Sequence, residues 1–194
     1  MKKLLLTAVF AVITIVSINA QEFGAKAGVN FASLNGDEDF DGRTSFFVGG
    51  VVEFEISESF SIQPELLYSS QGAKSSFSEE GFDFETIIKL DYLNIPIMAK
   101  YYVTEAFSIE AGPQVGFLLS AKSEWEADGE SDSEDIKDEL SSIDFGLNFG
   151  LGYKLDSGLN FGARYNLGLS NVPDSGDDID LKNGVFQIAV GYFF

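Results

Sequence analysis

The 194-residue chain carries 31 acidic and 12 basic residues, a net charge of −19 at pH 7, and it has no cysteine and no histidine. The missing cysteines exclude disulfides and thiolate sites, and the acidic balance disfavours nucleic-acid binding. Because histidine is also missing, the most frequent general base is unavailable, and we predict a non-enzymatic protein with no catalytic residue and no cofactor.

Residues 1–20 have the pattern of a secretory signal peptide. Lys2 and Lys3 precede an apolar run over residues 4–16, and the small residue Ala20 ends the segment. The run is too short for a membrane-spanning helix. We therefore expect cleavage before Gln21, which changes the net charge from −19 to −21. The mature domain is then residues 21–194.

Apolar and polar residues alternate through most of this mature chain. In the segment LNFGARYNLGL, residues 159–169, one face carries Leu, Phe, Ala and Tyr, and the other carries Asn, Gly and Arg. A period of two predicts β-strands. Eight such segments are long enough to cross a bilayer as tilted strands: residues 23–34, 44–56, 60–69, 87–103, 107–120, 143–155, 159–169 and 184–194.

The connections between the eight segments alternate strictly between short and long. Three-residue turns lie at residues 57–59, 104–106 and 156–158, and long polar loops lie at residues 35–43, 70–86, 121–142 and 170–183. Outer-membrane barrels have short periplasmic turns and long external loops. We predict an all-β, eight-stranded, antiparallel, up-and-down transmembrane β-barrel in the outer membrane, with both termini in the periplasm. The four loops hold 21 of the 31 acids.

Aromatic residues occur near both ends of the apolar face of many segments. The commonest gap between paired aromatics is eight residues, about 20 Å after a strand tilt of about 40°, which suits the band between two membrane girdles. A soluble lipocalin-like barrel would instead place these rings inside, where eight strands enclose too little volume. The outward pairs are Phe23 and Phe31, Phe46 and Phe54, Phe60 and Tyr68, Phe107 and Phe117, Phe145 and Tyr153, and Phe186 and Phe194.

Four motifs resemble the PorT-like outer-membrane β-barrel family, a small outer membrane protein β-barrel domain. They are GAKAGVNFASL at residues 24–34, QPELLYSSQG at residues 63–72, YLNIPIMAKY at residues 92–101, and GPQVG at residues 112–116. The C-terminal part resembles the family by pattern and by its terminal aromatic residue. The resemblance implies an outer-membrane barrel, and some members of the family take part in protein secretion and gliding.

Charged residues on the inward face predict a lumenal salt-bridge network, because buried charges must be paired. Its predicted members are Lys26, Glu53, Glu65, Lys100, Glu110, Asp144, Lys154 and Arg164. A carboxylate pair such as Glu65 and Glu110 would also suit acid–base work, but we favour the network. Inward glycines either open a narrow water path or allow tight curvature and room for long side chains, and we favour the second interpretation.

The first long loop resembles half of an EF-hand. Asp37, Asp39 and Asp41 alternate, and Gly42 takes the sixth position, but the twelfth is Val48 and not Glu. These three acids are therefore weak calcium candidates, and a solvated acidic loop is the favoured alternative.

The last segment has Phe186, Ile188, Val190, Tyr192 and Phe194 on one face, which resembles the signal that barrel-assembly machinery reads. We expect this machinery and outer-membrane lipid as partners, with divalent cations or a secretion-apparatus protein as further candidates. The predicted function is a plugged barrel that acts in envelope integrity or through its acidic loops. The alternatives are a narrow, porin-like ion channel and an accessory component of a secretion apparatus.

Overall fold

The computed structural model describes residues 21–36, 40–79, 82–127, 130–174 and 180–194, with the side chains of all of these except residues 76–79, 82–85, 126–127 and 130–131. The predicted signal segment, residues 1–20, lies outside the described residues. So do Asp37 and Asp39 of the half EF-hand, whereas Asp41 is the first residue of the second strand.

Nine strands and one short helix follow each other along the described chain. The strands are β1 Gln21–Gly36, β2 Asp41–Ser57, β3 Phe60–Glu79, β4 Phe82–Tyr102, β5 Phe107–Ala127, β6 Glu130–Asp135, β7 Ile143–Lys154, β8 Leu159–Gly168 and β9 Leu181–Phe193. A single-turn 3₁₀-helix, Lys137–Glu139, lies between β6 and β7. In the described part of the chain, no helix is long and apolar enough to cross a membrane.

Eight of these strands close into a barrel, and all of their pairings are antiparallel. The first strand pairs with the last, with Ala27 opposite Val190, and the sheet is completed by the pairing of β4 with β5 and of β5 with β7. The predicted eight-stranded up-and-down barrel is therefore confirmed. The additional strand β6 pairs, among the described residues, with β5 alone.

The two ends of the barrel differ in their connections. At one end, which we call the turn end, residues 58–59, 103–106 and 155–158 make short connections, and the chain from Gln21 and the chain to Phe194 also lie there. Gly158 has a φ of 87°, in the left-handed region that favours glycine, and its N–H donates to the carbonyl of Leu155 at 2.9 Å. The opposite end is called the loop end.

The prediction of loops at residues 70–86 and 121–142 is wrong for most of their length. Strands β3 and β4 stay paired as far as Glu79 and Phe82, and β4 stays paired with β5 as far as Phe84 and Ala127. The Ser- and Glu-rich composition resembles a loop, but a neighbouring strand already presents aligned backbone groups, so the ladder continues. Three strands thus project beyond the rest of the barrel at the loop end, and β6 extends this projecting sheet.

Alternating residues face the lumen and the outside, as the period of two requires. On β7, Asn148 is fully buried and its neighbour Phe149 is 52% exposed. All of the outward aromatic pairs given above are partly or fully exposed. The aromatic ring of Phe47, by contrast, faces the lumen, where it is buried with Leu67 and Ala189. A Cβ at Gly28 would lie 2.7 Å from the Phe47 ring, so this glycine makes room for the ring.

Candidate functional site: the lumen and its two ends

Eight charged side chains in the turn-end half of the lumen form one continuous chain of ion pairs, which we call the charge chain. Negative and positive groups alternate along it, four of each sign, and each group lies within 4.0 Å of the next. In order, its members are Glu22, Lys154, Glu53, Lys100, Glu110, Arg164, Glu65 and Lys26. The net charge of this set is zero, which is what a confined, poorly hydrated space requires.

The best-connected member of the charge chain is Glu65. Arg164 donates to its two oxygens in a bidentate arrangement, at 2.9 and 2.8 Å, and Lys26 donates to both at 3.1 and 3.2 Å. Gln63 adds a fifth hydrogen bond at 2.7 Å. Arg164 also reaches Glu110 at 3.3 Å. Both carboxylates accept hydrogen bonds from Arg164, which leaves the acid–base alternative without a free carboxylate.

The other half of the charge chain lies nearer the turn end and includes aromatic contacts. Lys100 donates to Glu53 at 3.2 Å and to Gln63 at 3.1 Å, and the Tyr102 hydroxyl also donates to Glu53. The Lys154 ammonium lies 4.6 Å from the centre of the Phe193 ring. Cation–π contact stabilises an ammonium that burial has removed from part of its water.

The structure brings together seven of the eight predicted network residues and leaves Asp144 apart. Asp144 lies towards the loop end, is 5% exposed, and forms no ion pair within the described part of the chain. Glu22 takes the fourth negative place instead. Sequence reasoning missed Glu22, although it stands an even number of residues before Lys26 and so faces the same side of β1.

Amide side chains form a neutral layer on the loop-end side of the charge chain. Asn30 donates to Ser69 at 3.0 Å and accepts from Gln187 at 2.8 Å, and Asn148 accepts from Asn166 at 3.3 Å. These amide residues were not predicted as site residues, although the same alternation of inward and outward positions places them inside the barrel. They supply paired hydrogen bonds without charge, so this layer fills the lumen at little electrostatic cost.

An apolar cluster, which we call the apolar cap, fills the loop end of the lumen. Its buried members come from β1, β3, β4, β5 and the segment before β9: Leu34, Ala73, Leu90, Tyr92, Leu118, Ala121 and Val172. Ile136 and Leu140 pack against it from the segment after β6. The N–H of Ser141 donates to Val172 at 2.9 Å, so the two segments are joined over this end.

Space inside the barrel is distributed unevenly. At the turn end an open cavity of about 470 Å³ is lined by Glu22, Tyr102, Lys154 and Phe193. Beside Arg164, by contrast, the remaining cavity is about 10 Å³. That volume corresponds to roughly one water molecule, so the charge chain fills the lumen at its own level.

The described residues contain no group of three or more His, Cys, Asp and Glu side chains that could hold a metal ion. The five residues of the predicted assembly signal, four on β9 and Phe194 directly after it, all lie on the outside of the barrel, with exposed fractions from 41% for Phe186 to 80% for Phe194. The N–H of Phe194 donates to the carbonyl of Phe23 at 2.9 Å, which continues the seam between the first and last strands.

Solved barrels with a similar fold are known. Ail, the attachment invasion locus protein of Yersinia pestis, is 16% identical with a TM-score of 0.55, over 90% of this chain and 99% of that chain. Neisserial surface protein A is 11% identical with a TM-score of 0.54, over 89% of this chain and 97% of that chain. At these identities the likeness concerns the fold. Among curated protein sequences, none matches this chain.

The family comparison concerns the sequence itself. The family described as outer membrane protein beta-barrel domain matches residues 19–174, which is most of the chain and includes β1 to β8. The specific PorT-like assignment stays a resemblance. With a closed barrel, an apolar exterior and this match, the chain belongs to the outer membrane protein beta-barrel domain family and is an outer-membrane β-barrel protein.

Proposed function

We propose that this protein is a non-enzymatic and non-conducting barrel whose function lies at its acidic loop end. The observation that carries the proposal is the division of charge between the two halves of the molecule. Lumenal charges pair with one another in the charge chain, whereas Asp132, Glu134 and Asp135 on β6 are exposed. The charge chain is therefore neutral as a set, and the negative potential is directed outwards at the loop end.

The proposed orientation places the turn end in the periplasm and the loop end outside the cell. Its support is the extent of the chain beyond the barrel. Outer-membrane barrels have short turns on the periplasmic side and longer segments outside, and β3, β4 and β5 project at the loop end. In this orientation the projecting sheet of β3 to β6 stands at the cell surface, with the half-exposed Trp125 opposite Asp132. An aromatic ring beside carboxylates is suited to a basic partner, through cation–π contact and charge attraction.

The plug is tested by recording the purified protein in planar bilayers. We expect negligible steady conductance, because the charge chain and the apolar cap occupy successive levels of the lumen. Steady single-channel openings by the wild-type monomer would contradict the plug. A narrow ion channel would then be a better proposal than a plugged barrel. The open cavity at the turn end is the observation that favours a channel.

The acidic loop end is tested with an oligolysine peptide and the protein reconstituted in neutral lipid vesicles. Trp125 is the single tryptophan of the chain, so its fluorescence reports on the loop end alone. We expect a salt-sensitive change on peptide binding that disappears when Asp132, Glu134 and Asp135 become Asn, Gln and Asn. The matched control neutralises three acids of the turn end, Glu55, Glu58 and Glu105. An equal loss in both triple variants would contradict the proposal.

An accessory role in a secretion apparatus rests on the family resemblance alone and stays a prediction. Co-purification of the intact protein with a periplasmic or outer-membrane secretion component, dependent on the turn-end surface, would support it.

A further inference from the structure

Asp144 is a buried carboxylate without a counter-charge. It is 5% exposed, its Oδ1 has no hydrogen-bond partner, and it lies outside the charge chain. The described part of the chain has three other buried side-chain atoms without a partner, and all three are also acceptor oxygens: Gln71 Oε1, Asn166 Oδ1 and Asn183 Oδ1. Burying a charge without a partner costs far more than burying a paired one. A cation beside Asp144 would remove this cost, as would a proton on its carboxyl group.

The basic residues of the mature domain do not supply this charge. Residues 21–194 contain ten Lys and Arg, and every one of them belongs to the described residues. Those nearest in sequence to Asp144 or to Asn183 are committed elsewhere: Lys137 donates to the Leu119 carbonyl, Lys154 belongs to the charge chain, and Lys182 pairs with Asp180. The undescribed positions between residues 36 and 180 carry neither Lys nor Arg.

Two amide side chains lie near the carboxyl group of Asp144. Asn183 is beside it and donates to the Tyr92 hydroxyl at 3.3 Å, while its own Oδ1 has no partner. Asp144 stands opposite Gly116 in the register of β5 and β7. A Cβ at Gly116 would lie 2.6 Å from Asn94 Oδ1 and 3.5 Å from Asp144 Cβ. Because Gly116 has no side chain, Asn94 Oδ1 lies close to the β5 backbone on the lumenal side, where Asp144 also stands.

We propose that Asp144, Asn183 and Asn94 form a binding site for a monovalent alkali cation, of which sodium is the representative. The ligand atoms are carboxylate and amide oxygens, which bind hard cations. A monovalent ion neutralises the single carboxylate, whereas a divalent ion would leave a net positive charge in a buried place. The acidic loop end raises the local cation concentration, which assists loading. The site lies between the amide layer and the apolar cap.

The test measures thermal unfolding of the detergent-purified protein in chloride salts of sodium, potassium, calcium and N-methylglucamine at equal ionic strength. N-methylglucamine is too large to enter the site. We expect the midpoint to rise in sodium relative to N-methylglucamine by about 5–10 °C when the free ion is at about 100 times its dissociation constant. A midpoint that is equal in all four salts would overturn the proposal, and so would stabilisation by calcium alone.

Three variants connect the effect to the site. Asp144→Asn removes the charge, and Gly116→Ala places a methyl group against Asn94 Oδ1, which displaces that oxygen without changing any charge. Both are expected to lose the sodium response. Asp156→Asn, in an exposed turn-end connection, is the control and should keep it. If Asp144→Asn folds and still responds to sodium as the wild type does, the ion binds elsewhere and the proposal is wrong. If Asp144→Asn does not fold, Gly116→Ala is used instead, and a wild-type sodium response of this variant would show that the proposal is wrong.

Discussion

At the scale of single residues, the side of the barrel on which a residue lies decides what its substitution costs. Phe149 lies on the outside of β7, midway between Phe145 and Tyr153 of the aromatic girdles. We expect Phe149→Arg to destabilise the barrel by about 2–4 kcal/mol, because a charge at the bilayer midplane loses its water. The measurement is a urea refolding titration in lipid vesicles.

The matched control for this prediction is Tyr153→Arg, on the same face of the same strand but at the girdle. There the arginine reaches the interface, and the expected cost is roughly 0–1 kcal/mol. Asn148→Arg is a poorer control, because Asn148 is fully buried and hydrogen-bonded to Gln114. Equal losses in Phe149→Arg and Tyr153→Arg would show that depth in the bilayer does not govern the cost.

Which residues face the lumen could be predicted from the sequence, but their height in the barrel could not. Alternation places Asp144 inside, and the structure agrees. Its distance from Arg164 depends on strand tilt and on the register between β7 and β8, and neither has a signal in the alternation. For the same reason Glu22, near the start of β1, was not recognised as a partner of Lys154 on β7.

At the scale of the strands, close approach of neighbouring backbones requires glycine at particular positions. A Cβ at Gly112 on β5 would lie 2.0 Å from the carbonyl oxygen of Ile97 on β4. The backbone of β4 is held by its hydrogen bonds to the neighbouring strands and cannot move aside as a flexible side chain can. We therefore expect Gly112→Ala to cost roughly 1–3 kcal/mol, as overpacking does elsewhere, in the same urea titration.

Gly162 on β8 provides the comparison for Gly112. A Cβ there would have its nearest neighbour, the Leu151 carbonyl oxygen, at 3.6 Å, which is ordinary contact. Gly162→Ala should be neutral or should stabilise by about 0.4–1 kcal/mol, because alanine restricts the unfolded chain. If both substitutions change the free energy of unfolding alike, steric contact with the neighbouring strand is not the reason for these glycines.

The final strand carries a prediction about assembly. Phe194 combines an 80% exposed ring with a backbone bond to Phe23, so its deletion removes both a girdle aromatic and the end of the closing seam. We expect deletion of Phe194 to lower the amount of protein in the outer membrane, measured by fractionation and immunoblotting. Phe194→Tyr keeps the ring and the backbone bond and should insert normally. Unchanged membrane levels in the deletion strain would count against an assembly role.

The number of barrel strands was predictable, because each transmembrane strand repeats the same two-residue alternation over a similar length. The projecting part of β3, β4 and β5 was not, because polar residues such as Ser75 and Ser123 have no apolar alternation to follow. These residues are held in strands by pairing with their neighbours and, lower down, by the contacts of Ala73, Leu90 and Ala121 in the apolar cap. Both causes are tertiary and leave no local signal.

At the scale of the whole molecule, the charge chain links stability to the permeability of the lumen. Arg164→Ala would leave Glu65 and Glu110 with fewer donors and would open space beside the cavity of about 10 Å³. We expect a loss of about 3–5 kcal/mol in the free energy of unfolding, because a buried charge loses its partner. We also expect measurable leak conductance in planar bilayers.

Lys182→Ala is the control for Arg164→Ala, since it breaks an exposed pair with Asp180. Exposed pairs contribute about 0–1 kcal/mol, and this one lies outside the lumen, so stability and conductance should change little. An Arg164→Ala barrel with wild-type stability and no leak would show that the charge chain does not plug the lumen.

The charge chain draws its members from seven of the eight barrel strands, and only β9 contributes none. Among the members of the charge chain, the β4–β5 hairpin alone can pair its own charges, through Lys100 and Glu110. The other pairs join strands that are not neighbours in the sheet, so a half-assembled sheet in lipid carries unpaired ions that are costly there. Partly closed intermediates are therefore raised in free energy relative to both the unfolded chain and the finished barrel. Closure becomes an all-or-none event, and the residues that fill the finished lumen also act, during folding, as a source of cooperativity.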